Sequence, residues 1–186
     1  KEKANDLINE GAHWCDNIKS LVEQSTIIIT CLPNPKSVSI VMESSNGIIN
    51  NINSKHLIIE CSTTDEEELI RLSKLVLSKS ASYIDAPLSG GEWRSKNGNI
   101  SVLASGDSKS FKRALPILKE IGYKIVYLGE KLGSASTVKV LSNYLASINL
   151  LGIGEVLMIC KKYNLDLRAV YEAIRVSSGN SFVHTS

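Results

Sequence analysis

The chain has 186 residues and a net charge of +2, with 43% hydrophobic and 22% charged side chains, enough apolar material for one large domain or one domain and part of a second. Its basic residues are dispersed and aromatics make up only 5%, so neither a nucleic-acid footprint nor a base-stacking surface is expected. No uninterrupted apolar run of about eighteen residues is seen, so no membrane span is expected.

The chain opens on "KEKANDLINEGA", which reads as helix and does not begin with methionine. "TIIITCLP" (26–33) is a β-branched run stopped by proline, the pattern of a strand buried on both faces. "HLIIECSTT" (56–64) repeats it. A helix follows in "TDEEELIRLSKLVLSKSA", with Thr64 as N-cap and Glu67 completing a capping box. "SYIDAPLSGG" reads as the next strand and turn, and "NISVLASG" as another strand. Then come a helix capped by Asp107 or Ser108 and a last strand, "KIVYLG". Strands alternating with helices define an α/β fold with a mostly parallel, doubly wound sheet. After Gly133 a stretch of about thirty residues keeps helical periodicity without proline, far beyond the usual ten to fifteen. A second helix, "LDLRAVYEAIRVSSG", ends the pattern. This predicts a sheet domain over 1–131 and the start of an all-helical domain over 132–186.

Cys15, Cys31, Cys61 and Cys160 form no CxxC pair, and His13, His56 and His184 share no ligand spacing, so no metal site is expected. Cys31 and Cys61 close apolar strands and read as buried thiols of a reducing compartment. The expected location is cytoplasmic, with a mitochondrial one left open by the missing methionine.

In an open parallel sheet, ligands bind beyond the carboxyl ends of the strands. Three segments fall there: "CLPNP", "CSTT" and "PLSGG". They offer free backbone groups before a proline, paired hydroxyls and bare glycine backbone. Each alone could be an ordinary turn; together on one edge they mark a ligand site. Lys139 sits in "GSASTVKVLSN" among small and apolar neighbours, with Asn143 one turn further on the same helical face. A lysine on the inner side of an apolar helix is costly unless it is paired or used, and an ammonium there can deliver a proton to a developing alkoxide. A lysine reaching outward to solvent fits the same spacing.

These residues carry a resemblance. "DAPLSGG", "NGNISVLASGD" and "GSASTVKVLSN", in that order, resemble the successive motifs of the β-hydroxyacid dehydrogenases, relatives of 3-hydroxyisobutyrate dehydrogenase and tartronate semialdehyde reductase. Asp85, Pro87, Ser89, Gly90 and Gly91 match the substrate motif, while Gly133, Ser134, Lys139 and Asn143 match the catalytic one. "GEVLMICKKYNLDLRAVYEAI" and "SSGNSF" resemble the helical segments that follow. The resemblance implies a Rossmann-like domain whose first βαβ unit, with its glycine-rich turn, precedes this sequence. It implies hydride transfer between NAD or NADP and a small β-hydroxy acid or aldehyde acid. Lys139 would be general acid/base, Ser89, Gly90 and Gly91 would hold the substrate carboxylate, and Asn143 would orient substrate. Leu32, Pro33, Asn34 and Thr63 would line the cofactor. Assembly as a homodimer or homotetramer is also implied.

Two positions depart from the pattern: Ala135 stands where glycine is usual, and Ser142 where a second asparagine is common. A non-catalytic dehydrogenase-like binding module is the alternative, and the retained Lys139 speaks against it. In "EWRSKNG", Arg94 either meets a second carboxylate of the substrate or faces solvent.

Overall fold

The computed structural model describes residues 4–185; the first three residues of the predicted N-terminal helix lie outside that span. In chain order the elements are α1 (Asn5–Asn9), α2 (Ile18–Gln24), β1 (Ile27–Thr30), α3 (Pro35–Glu43), α4 (Ile48–Asn51), β2 (Leu57–Glu60), α5 (Glu66–Ser78) and β3 (Ser82–Asp85). They continue with β4 (Leu88–Ser89), α6 (Gly91–Lys96), β5 (Ser101–Ala104), α7 (Ser108–Ile121), β6 (Lys124–Tyr127), α8 (Ser134–Lys162), α9 (Leu167–Arg175) and α10 (Phe182–Thr185).

The β-branched runs form the centre. β1, β2 and β3 pair in parallel with Ile28 opposite Ile58 and Ile58 opposite Tyr83. Successive strand side chains point to opposite faces; β2 is covered on both, whereas β1, expected to be buried on both, leaves Ile29 44% exposed because it lies at the edge of the three-stranded sheet. Ile28, Ile58 and Tyr83 pack with Val22 of α2, Val38 and Met42 of α3, and Leu69, Leu72 and Val76 of α5. Leu57, Ile59 and Ile84 face the other way, onto Val102 and Ala104 of β5 and Ala114 and Leu118 of α7. This is the doubly wound arrangement, with helices on both faces of a mainly parallel sheet.

The single strand expected over "SYIDAPLSGG" is instead two. Pro87 lacks an N–H and breaks the ladder, so β3 ends at Asp85 and the short β4 pairs antiparallel with β5. β5 then pairs parallel with β6. A lone antiparallel bridge between Asp85 and Ser105 connects β3 to the end of β5.

Three further expectations change. The N-cap of α5 is Asp65, whose side chain accepts from the Glu68 N–H at 2.8 Å; Thr64 is one residue too early to cap it. Cys61 is buried, but Cys31 is exposed, because it lies past the end of β1. α8 contains an 18-residue window of mean hydropathy 1.4 and is long and apolar enough to cross a membrane by length and composition. The sequence reading missed it because Ser142, Asn143, Ser147 and Asn149 interrupt the run without making it polar on average. Asp107, one of the two expected caps, is the N-cap of α7.

The chain divides into two compact units, up to Lys139 and from Val140 onward. In the first, the strand ends gather the predicted site. The second is helical: the rest of α8, then α9 capped by Asp166, and α10, where the His184 ring lies tilted against Tyr171.

Candidate active site at the strand ends

The carboxyl ends of β2 and β3 each finish in an acid with no solvent exposure, Glu60 and Asp85, opposite one another in register. Buried carboxylates need hydrogen-bond donors, and here the donors come from a strand end, the following turns and the first turn of α8.

Glu60 accepts from the Thr30 hydroxyl at 2.7 Å and from the Ser62 N–H at 2.8 Å. Ser62 in turn accepts from the Leu32 N–H at 2.8 Å. One carboxylate therefore ties the turn after β1 to the turn after β2. Burial pushes the Glu60 carboxyl above its ordinary value, hydrogen bonds from Ser62 and Thr30 pull it back, and Asp85 adds a further upward push. Around this knot the predicted cofactor residues divide. Leu32 is half-buried and packs against the core on the α3 side. Pro33, Asn34 and Thr63 are exposed. The Asn34 side chain also caps α3, accepting from the Ser37 N–H at 2.9 Å, with Pro35 at the first helical turn. Thr64, beside Thr63, has a buried hydroxyl with no hydrogen-bond partner among the described residues.

Asp85 accepts from the Ser105 hydroxyl at 3.0 Å, the Ser136 N–H at 2.9 Å and the Ser136 hydroxyl at 2.7 Å. Burial raises its carboxyl, and the Ser136 and Ser105 hydrogen bonds oppose the rise. Past Pro87 the backbone reaches Ser89, then Gly90 at φ +139° and Gly91 at φ +73°. Both angles lie where side chains are strained, which explains the glycines. A β-carbon on Gly91 would meet open space, whereas one on Gly90 would come within 3.0 Å of the Arg94 side chain. Arg94 thus lies against the Ser-Gly-Gly turn. Trp93 on α6 is exposed, and Lys96 pairs with Glu92 at 2.7 Å.

Lys139 completes the cluster. It is only 9% exposed, and its Nζ donates to the Ser89 Oγ at 3.3 Å. Desolvation lowers its pKa from the ordinary 10.5. The outward-reaching lysine is thereby excluded, and the structure brings Lys139 and Ser89 together. Asn143 lies one turn further along α8 and is exposed, its carbonyl accepting from the Ser147 hydroxyl at 3.0 Å. Among the described residues no group of three or more metal-ligating side chains converges.

Sequence reasoning gave no role to Glu60, Ser62, Ser105 or Ser136. The one visible signal was an acid ending the apolar run "HLIIE"; side-chain partners 20 to 51 residues away in the chain leave no local pattern.

Fold and site together define a Rossmann-type α/β domain with a buried lysine at the strand ends. The chain matches the family profile described as the NAD binding domain of 6-phosphogluconate dehydrogenase over residues 1–129. Over 133–186 it matches one described as the NAD-binding of NADP-dependent 3-hydroxyisobutyrate dehydrogenase. The chain belongs to the β-hydroxyacid dehydrogenase family.

It is 28% identical over 176 residues to 2-(hydroxymethyl)glutarate dehydrogenase of Eubacterium barkeri, covering 95% of this chain and 58% of the relative. The 3-hydroxyisobutyrate dehydrogenase of Pseudomonas aeruginosa is likewise 28% identical over 176 residues, covering 95% and 59%. Among solved structures, Psf3 in complex with NADP+ and 2-OPP superimposes with a TM-score of 0.90 at 26% identity, covering 99% of this chain and 65% of that one. The chain thus spans less than two thirds of the length of each.

Proposed function

We propose that the full-length protein is an NAD- or NADP-dependent dehydrogenase or reductase of small β-hydroxy acids and their aldehyde acids, with Lys139 as general acid/base. The observation that carries this reading is the buried Lys139 ammonium, desolvated and 3.3 Å from the Ser89 hydroxyl. An ammonium held at such a cost gains nothing for a module that only binds; its depressed pKa brings it nearer the range where proton transfer is efficient.

The exposed Pro33, Asn34 and Thr63 beyond parallel strands fit a dinucleotide, which binds at such strand ends. The partnerless Thr64 hydroxyl beside them suits a polar ligand as well. The nicotinamide group, when bound, supplies or accepts the hydride. Ser89 and the backbone of Gly90 and Gly91 hold the substrate carboxylate, so that its hydroxyl or carbonyl oxygen falls within reach of Lys139. Lys139 gives its Nζ proton to that oxygen on reduction and takes it back on oxidation.

Division near residue 131 is part of the same reading, supported by family matches that meet between 129 and 133. So is assembly as a homodimer or homotetramer, supported by the exposed apolar side chains Leu145, Leu151 and Met158 on α8.

The test follows nicotinamide absorbance in the full-length protein with NADH and NADPH against a panel of aldehyde acids and keto acids. Turnover of an aldehyde acid is expected. Cofactor binding without turnover of any acid would contradict the enzyme reading.

A further inference from the structure

The first N–H groups of a helix have no partner within it and must find one elsewhere. For five of the ten described helices a side chain at the N-cap provides it, as Asn17, Asn34, Asp65, Asp107 and Asp166 do. α8 is different. The residue before it is Gly133, at φ +88°, which has no side chain to offer.

The missing cap comes from the sheet. The Ala135 N–H donates to the Ser105 hydroxyl at 3.1 Å, and the Ser136 N–H donates to Asp85 at 2.9 Å. The Ser136 hydroxyl donates to the other Asp85 oxygen at 2.7 Å, and Ser105 itself donates to Asp85 at 3.0 Å. Asp85 and Ser105 are fully buried, and their backbones exchange hydrogen bonds of 3.0 and 2.8 Å across the bridge between β3 and β5. The carboxylate therefore sits on a fixed base, and its negative charge faces the positive end of the helix.

Its position in the chain gives this cap a consequence. Ser89, the last residue of β4, follows Asp85 by four residues; Lys139 follows Ser136 by three, one turn along α8. Asp85 thus fixes both sides of the 3.3 Å gap between Lys139 and Ser89. No other single side chain described here bonds to the Lys139 turn of α8 while lying on the strand that leads into Ser89. A misplacement of about 1 Å at a reacting group can lower turnover about 10²-fold.

We propose that Asp85, with Ser105 as its second arm, is a positioning residue that caps α8 from the end of β3 and so sets the reach of Lys139 to the substrate. This rests on the reading of Lys139 as general acid/base.

The experiment is a double-mutant cycle in the full-length protein: Asp85→Asn, Lys139→Ala and the pair, with kcat, KM and the dissociation constant of NADH or NADPH measured for each. In Asp85→Asn an amide –NH2 replaces one accepting oxygen and opposes a donor. The expected result is a fall in kcat of about 10²-fold with cofactor affinity unchanged, and no further fall when Asp85→Asn is added to Lys139→Ala. Equal losses in both backgrounds, or a loss of cofactor affinity matching the loss of kcat, would overturn the proposal. If Asp85→Asn does not fold, Ser136→Ala takes its place. It removes one of the three donors to Asp85, and the same disappearance of its effect beside Lys139→Ala is required. Failure of the underlying reading looks different: Lys139→Ala alone would then keep wild-type turnover.

Discussion

Glu60 and Asp85 stand side by side at the ends of β2 and β3, both without solvent exposure and both raised by burial. Their donors separate them. Glu60 gathers Thr30 and Ser62 and through Ser62 the Leu32 amide, all at the ends of β1 and β2, the side proposed for the cofactor. Asp85 gathers Ser105 and Ser136 and so holds the helix that carries Lys139. The same device, a buried acid with donors from distant segments, shapes two halves of one edge. The difference teaches that what a buried carboxylate does is set by the segments its donors belong to, not by its own burial.

The strongest way to break this comparison is to neutralise each acid in turn. Asp85→Asn should lower kcat about 10²-fold and spare cofactor affinity. Glu60→Gln leaves a buried group unsatisfied at about 1–3 kcal/mol. It should weaken NADH or NADPH binding about tenfold while kcat at saturating cofactor stays near wild type. Fluorescence titration and steady-state kinetics separate the two, and matching patterns from both variants would erase the distinction.

Acid and alkali sharpen it further. Because Glu60 and Asp85 titrate above their ordinary 4.5 and 3.8, the folded chain holds more protons than the unfolded chain just above those values. That share of stability is present at lower pH and is lost as pH rises through the raised pKa values. Glu68 runs the other way. Hydrogen bonds from Arg71 and Ser39 hold it down to about 2, so its contribution is present above about 4.5 and lost as pH falls toward 2. Urea unfolding over a pH series should show the acid-side loss shrink in Glu68→Gln and the opposite slope shrink in Glu60→Gln.

A smaller effect is expected at Lys139. A folded-state pKa below 10.5 means that burial penalises the charged form, so the ammonium costs stability at neutral pH. Lys139→Met should raise Tm slightly, since it removes the desolvated charge, while abolishing turnover. A lower Tm would show that the lysine is held by more than its contact with Ser89.

The sheet was legible because "TIIIT" and "HLIIE" are apolar runs with no alternation, the pattern of strands buried on both faces; β2 is so buried, while β1 leaves Ile29 exposed. Lys139 was legible as an ammonium among small and apolar neighbours, and its approach to Ser89 confirms the inward orientation. The split of "SYIDAPLSGG" into β3 and an antiparallel β4 was not, since it depends on where β5 offers a partner. Nor was the cap of α5, where Thr64 and Asp65 are both competent residues and the backbone at Asp65 decides. Least legible were the acid networks. "DAPLSGG" presented Asp85 as a motif residue, but its partners Ser105 and Ser136 lie 20 and 51 residues away and leave no periodic trace.

The most direct test of the account is the turnover of the full-length protein with Lys139→Ala, measured beside wild type at saturating NADH or NADPH with the best aldehyde acid. A fall of about 10²- to 10⁴-fold in kcat with cofactor affinity unchanged is expected. Wild-type turnover in the variant would contradict it.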